Sequence, residues 1–160
     1  MYKSIPTYKD KVWTTTDFET KEDWTKYLIN LFKEPGQYNF DDVALSFNEQ
    51  AVLFNTQGFY CDKPFRSKDF NKYWEDQKTK CREGALYYGK KNVFYLTRDY
   101  YMWLNFLPIF DKEEKKYGFA KVRDAQYHMA LYEMLAELHN KHVAILKKRQ
   151  IASSYFHMAK

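Results

Sequence analysis

The run Val143-Ala144-Ile145-Leu146, followed by Lys147-Lys148-Arg149-Gln150-Ile151-Ala152-Ser153-Ser154-Tyr155, constrains the fold more than any other part of the chain. Its apolar opening reads as a short buried strand, a basic loop follows, and from Ser153 onward helix-start chemistry begins together with an apolar face. Strand, basic loop and helix start in this order predict α/β structure. They also predict an anion site, because the N–H groups at a helix N-terminus lack intrahelical partners and favour negative charge. A nucleoside triphosphate needs two further things there, a cation beside its phosphates and a hydroxyl for Mg²⁺. Set on the frame G-x-x-x-x-G-K-[ST], Lys147 stands at the first Gly, Ala152 at the second, Ser153 at the Lys and Ser154 at the Mg²⁺ hydroxyl. Only Ser154 keeps the residue type, so a basic surface loop is the plain alternative.

Upstream the chain is mostly helical in pattern. Residues 1 to 15 read as an extended arm. Asp17 to Lys33 predicts a helix, capped by Thr16 or Asp17, with Trp24, Tyr27, Leu28, Leu31 and Phe32 at helical spacing and a stop at Pro35-Gly36. Asp41 to Asn55 predicts a second, ended by Gly58. Ser67 caps a third through Arg82, with Phe70, Tyr73, Trp74, Gln77 and Cys81 on one side and Lys68, Lys72, Lys78 and Lys80 on the other. From Ala85 the period changes: Ala85 to Tyr88, a Gly89-Lys90-Lys91-Asn92 turn and Val93 to Leu96 predict a β-hairpin. Thr97 caps a short helix that Pro108 closes off. Asp111 to Gly118 reads as a charged loop or hairpin tip. Asp124 opens the strongest helix, running to His139-Asn140.

Composition narrows the classes. The chain has 160 residues, enough for one domain and a sizeable core. Aromatics make up 20%, with 15 Tyr, so large rings supply much of the apolar area that opposes chain entropy. The net charge of +5 suits a phosphate-bearing partner, nucleotide or nucleic acid. Cys61 and Cys81 stand far apart with no CxxC, and His128, His139, His142 and His157 show no metal-ligand spacing. There is no apolar leader and no apolar run long enough to span a bilayer, which points to a cytoplasmic protein.

Three landmarks carry a resemblance. Lys147, Arg149 and Ser154 match the form Lys-x-Arg-x-x-Gly-x-Ser, with Ala152 in place of Gly, and Arg149-Gln150 forms an Arg-Gln pair. One helix earlier stands Arg123-Asp124-Ala125-Gln126. Before that, Tyr95-Leu96-Thr97-Arg98-Asp99-Tyr100-Tyr101-Met102-Trp103-Leu104-Asn105-Phe106-Leu107-Pro108-Ile109 fits the aromatic pattern hYfyLNfxPI. In this order they resemble the N-terminal part of the large subunit of phage terminases, the DNA-packaging motors. The resemblance covers about residues 85 to 160.

The resemblance implies a helical N-terminal region at 1–84 and the start of a P-loop ATPase domain at 85–160. It implies ATP and Mg²⁺ as cofactors. Lys147 would offset phosphate charge, Arg149 would reinforce it, and Lys148, Gln150, Ile151, Ala152 and Ser153 would line the loop. Ser154 would hold Mg²⁺ and Gln126 would read adenine. An amide offers one donor and one acceptor, as adenine N6 and N7 require. Ala152 costs about 1 kcal/mol wherever the loop needs a left-handed backbone. The implied partners are double-stranded viral DNA, the portal protein, the small terminase subunit and sister copies in a ring, in the host cytoplasm and transiently at the procapsid portal.

A packaging motor further needs a strand ending in a Mg²⁺ carboxylate, a catalytic Glu and an acidic nuclease domain. None follows Lys160. The expectation is therefore a fragment whose 143–146 strand lacks its parallel neighbours and which does not hydrolyse ATP alone. The rivals are another P-loop motor such as a helicase, and a small basic, aromatic-rich nucleic-acid-binding protein without ATPase activity.

Overall fold

In a computed structural model, the described residues are 2–4, 21–33, 37–40, 44–89, 92–111 and 115–146. Tyr2–Ser4 forms β1, so the start of the expected arm is a strand. Helix α1 spans Lys21–Leu31, and its expected caps, Thr16 and Asp17, lie outside the described residues. The short α2 (Ala44–Phe47) and α3 (Glu49–Gln57) follow, then α4 (Lys68–Glu83). The hairpin strands β2 (Ala85–Tyr88) and β3 (Val93–Leu96) lead into α5 (Arg98–Phe106). A second hairpin, β4 (Pro108–Asp111) and β5 (Lys116–Phe119), precedes α6 (Asp124–Leu138).

Local chemistry explains most of these boundaries. The Ser67 hydroxyl accepts the Phe70 N–H at 3.1 Å and starts α4, and the Thr97 hydroxyl does the same for the Tyr100 N–H at the start of α5. Pro108 has no N–H to continue α5 but is tolerated as the first residue of β4. The expected hairpin tip is framed by pairs of the two strands, Phe110 with Tyr117 and Asp111 with Lys116, and its residues 112–114 lie outside the described residues.

The predicted helix over 41–55 is two helices. Asn48 interrupts it at φ −118°, ψ 31°, and the buried Asn105 of α5 fills the break. Its amide nitrogen donates to the Phe47 carbonyl at 2.8 Å, and its oxygen accepts the Gln50 N–H at 3.0 Å. The interrupted ladder thus finds its partners on a neighbouring helix.

Both sheets are antiparallel: β1-β2-β3, with Leu86 opposite Tyr95 and Tyr87 opposite Phe94, and the pair β4-β5. Successive residues of a strand face opposite sides, and Leu86 and Tyr87 are both buried, so the first sheet is covered on both faces. Trp24 of α1 meets the Tyr95 ring edge-on at 5.2 Å, and Phe47 of α2 meets the Tyr87 ring at 4.9 Å. The Tyr95 N–H donates to the Tyr127 hydroxyl of α6 at 3.1 Å, which ties β3 to that helix.

Two further expectations change. Residues 143–146 form no strand, and Ile145 and Leu146 are exposed. Among the described residues no strand lies beside them, so a ladder there would leave its N–H and C=O groups without a backbone partner. Lys80, expected on the solvated face of α4, is 4% exposed. Its ammonium lies 2.8 Å from Asp76 one turn earlier and 5.8 Å from the Tyr101 ring centre, which turns it toward α5.

Candidate nucleotide site

The expected phosphate loop, Lys147, Lys148, Arg149, Gln150, Ile151, Ala152, Ser153 and Ser154, lies outside the described residues. The chain approaches it from the C-terminus of α6 through a turn at His139-Asn140, with Asn140 at φ +52°. A pocket at that end is lined by Tyr132, Leu135, Ala136, His139, Lys141 and His142.

Gln126 occupies the third position of α6 and is 2% exposed, a buried amide in the helix's first turn. Arg123, the residue before the helix, has extended backbone (φ −133°, ψ 133°) and makes no side-chain cap bond. The turn is anchored by other elements instead. The Tyr100 hydroxyl of α5 accepts the Arg123 N–H at 3.2 Å and donates to the Arg123 carbonyl at 3.4 Å. That carbonyl also accepts the Tyr127 N–H, the first bond of the helix ladder. Asp124 accepts the Tyr38 N–H at 3.1 Å, which draws residues 37–40 across the helix start.

That short segment is held at several points. The Tyr38 hydroxyl accepts the Lys33 N–H at 2.9 Å and lies 3.2 Å from His128 Nδ1, which is 3.1 Å from the Lys33 carbonyl. The Tyr38 ring meets Tyr127 edge-on at 5.0 Å, and Phe40 stacks beside it at 5.8 Å. Burial holds the Tyr100 and Tyr127 phenols well above their ordinary range, so both stay protonated at neutral pH.

The structure therefore brings the aromatic landmark and the Gln126 helix into direct contact. Tyr100, Tyr101 and Trp103 are core residues, each at most 2% exposed. Sequence reading missed the roles of Tyr38, Asp124, His128 and the Tyr100 hydroxyl. Asp124 and Tyr38 are 86 positions apart, and no local pattern connects them. Among the described residues, no group of three or more His, Cys, Asp or Glu is arranged to hold a metal ion. No described helix is long and apolar enough to cross a membrane.

By architecture the chain is a mixed α/β protein, with six described helices around two small antiparallel sheets. No known protein family, characterised protein or solved structure matches it.

Proposed function

We propose that this chain is the N-terminal part of a phage terminase large subunit, the motor that uses ATP to translocate viral DNA into a procapsid. The observation that carries the reading is the bond pair between Tyr100 and Arg123. It links the aromatic segment Tyr95–Ile109 to the first turn of the helix that holds Gln126, and α6 then leads the chain toward the basic loop. Landmarks that matched only by order in the sequence are thus physical neighbours in two cases.

In this reading Lys147 would offset the charge of the β- and γ-phosphates as a flexible point charge, and Arg149 would add bidentate contacts. Ser154 would supply a hydroxyl to Mg²⁺, and the backbone N–H groups of the loop through Ser153 would hold the phosphates. Bound Mg²⁺-ATP supplies the phosphoanhydride whose cleavage drives the motor. Gln126, a buried amide in the first turn of α6, would read the adenine edge. Residues 1–84 form the helical N-terminal region and residues 85–160 begin the ATPase domain. Double-stranded viral DNA, the portal protein, the small terminase subunit and sister copies in a ring are the partners. The site of action is the host cytoplasm and, transiently, the procapsid portal.

The test begins with the source DNA downstream of the Lys160 codon. An open frame encoding an apolar strand that ends in Asp-Glu, then a cluster of acidic residues, is expected. A DExx- or DEAD-type segment in its place would move the protein to the helicases. A stop codon would overturn the motor and leave a basic aromatic binding module. In the product of the open frame, Lys147→Ala should abolish ATP hydrolysis.

A further inference from the structure

We infer that the face of the β4–β5 hairpin carrying Phe110 and Tyr117 is a stacking platform for single-stranded DNA, a site apart from the nucleotide loop and independent of it. Successive residues of a strand face opposite sides. Pro108 pairs with Phe119 and Phe110 with Tyr117, so these four share one face. The Phe110 and Tyr117 rings stand 5.3 Å apart at 65°, and the row continues onto α3, where Phe119 meets the Phe54 ring at 5.9 Å. The apolar face of an antiparallel hairpin usually packs on a core. Here Tyr117 is 73% exposed, Phe110 45% and Phe54 38%.

Charge decides the occupant. From Pro108 to Arg123 the chain holds five Lys and Arg residues against three Asp and Glu. Lys115 and Lys116 are exposed at one end of β5, and Lys121 and Arg123 are exposed just beyond the other. The strand between is about 13 Å long, so cations bracket the rings at both ends. Open ring faces with flanking cations suit unpaired bases and their phosphates: a base stacks on a ring while the backbone passes the cations. In a duplex the bases already stack on one another and present no open face. The rings of the row carry one hydroxyl, that of Tyr117, so no other group on them can hold a ribose 2′-OH, which favours DNA over RNA. Cross-strand rings also stabilise a hairpin, and the two roles separate by experiment.

The test is fluorescence anisotropy of the purified chain, without nucleotide, against a labelled oligo-dT strand, its duplex with oligo-dA and an oligo-rU strand of equal length, alongside thermal unfolding. Oligo-dT should bind most tightly, with an affinity that falls as salt rises. Tyr117→Leu keeps an apolar side chain but removes the ring; it should weaken binding about tenfold with the melting temperature unchanged, and Tyr117→Phe should retain binding. Lys115→Gln with Lys121→Gln should lower the slope of log affinity against log salt by about 0.7 for each lysine. Unweakened binding by the leucine variant would overturn the platform and leave the rings as hairpin packing. An unchanged salt slope would overturn it too, even where a ring variant failed to fold. Duplex or RNA bound as tightly as oligo-dT, or no binding at all, would overturn the assignment to single-stranded DNA.

Discussion

Gly58 and Gly84 hold nearly the same backbone angle, φ +79° and +80°, but they stand in different surroundings. A Cβ added at Gly58 meets nothing within 4 Å, whereas one at Gly84 would overlap the Leu96 carbonyl and lie 2.6 Å from the Tyr95 ring. Gly58→Ala should therefore cost only the left-handed penalty, about 1 kcal/mol. Gly84→Ala should cost about 3 kcal/mol or more, since β2 begins at the next residue and the β3 backbone has no room to retreat. Urea unfolding of the two variants checks this, and equal losses would show that the α4-to-β2 corner is looser than its contacts require. Asn105 shows the same dependence on surroundings in polar form. Asn105→Leu should cost about 2–3 kcal/mol, because it leaves the Phe47 carbonyl and the Gln50 N–H in a dry break with no side-chain partner. Hydrogen exchange at the Gln50 amide should rise with it, and unchanged exchange there would mean that the break is held by something other than this amide.

Among the elements, α4 is the most informative, because its start was legible and one of its faces was not. Ser67 starts it as read from sequence, and Thr97 likewise starts α5, since a cap is a local device whose donor and acceptor lie within one turn. The two breaks with expectation both depend on distant partners. The helix over 41–55 splits around Asn105, which is 55 positions from Gln50, and residues 143–146 gain no strand without a neighbouring one. The start of α6 divides the same way. Asp124 was legible as its opening residue, but the Tyr100 hydroxyl that anchors the turn was not, because tertiary hydrogen bonds leave no period in the sequence. Lys80 belongs with these: its neighbours on α4 suggested a solvated stripe, and only the Tyr101 ring reveals that it turns inward. Burial lowers the Lys80 pKa although Asp76 favours the ammonium, so desolvation is the larger effect. The pair should then respond unequally to substitution. Lys80→Met keeps the packing and leaves Asp76, whose side chain is 42% exposed, to water, so stability should stay within about 1 kcal/mol or rise. Asp76→Asn removes the countercharge from a buried ammonium and should cost about 3 kcal/mol. Matched losses in denaturant unfolding would show that the Coulombic attraction, not desolvation, governs the joint between α4 and α5.

For the whole molecule the dominant fact is a core built from tyrosine as much as from aliphatic residues. Tyr87, Tyr95, Tyr100, Tyr101 and Tyr127 are each at most 2% exposed. Their hydroxyls are used as connectors: Tyr95 donates to the Glu83 carbonyl at 2.8 Å, Tyr101 donates to Gln77, and Tyr127 receives the Tyr95 N–H. Such a core has a definite weakness in alkali. Burial raises the phenols of Tyr73, Tyr87, Tyr95, Tyr100 and Tyr127 well above 10.0, and burial followed by the nearby Tyr88 pushes Tyr27 to about 12. Burial likewise pushes the Cys81 thiol from 9.0 to about 11. In each case the folded chain keeps a proton that the unfolded chain releases, so the stability is fully present below the ordinary value and is lost as pH rises above it. Lys80 works in the opposite direction: its folded pKa is lowered, the unfolded chain holds the proton more strongly, and stability is gained as pH rises toward 10.5. One ammonium is outweighed by six phenols and a thiol. The melting temperature should thus be nearly flat to about pH 9 and fall steeply above about pH 10. The tyrosinate absorbance of the buried phenols should appear in step with the loss of helical circular dichroism, because they ionise only when the core opens. A tyrosinate signal larger than the exposed Tyr88, Tyr117 and Tyr132 can supply, rising while the helices persist, would mean that water reaches the buried hydroxyls in the folded state. The Tyr100 anchor at the start of α6 could not then be as rigid as its burial requires.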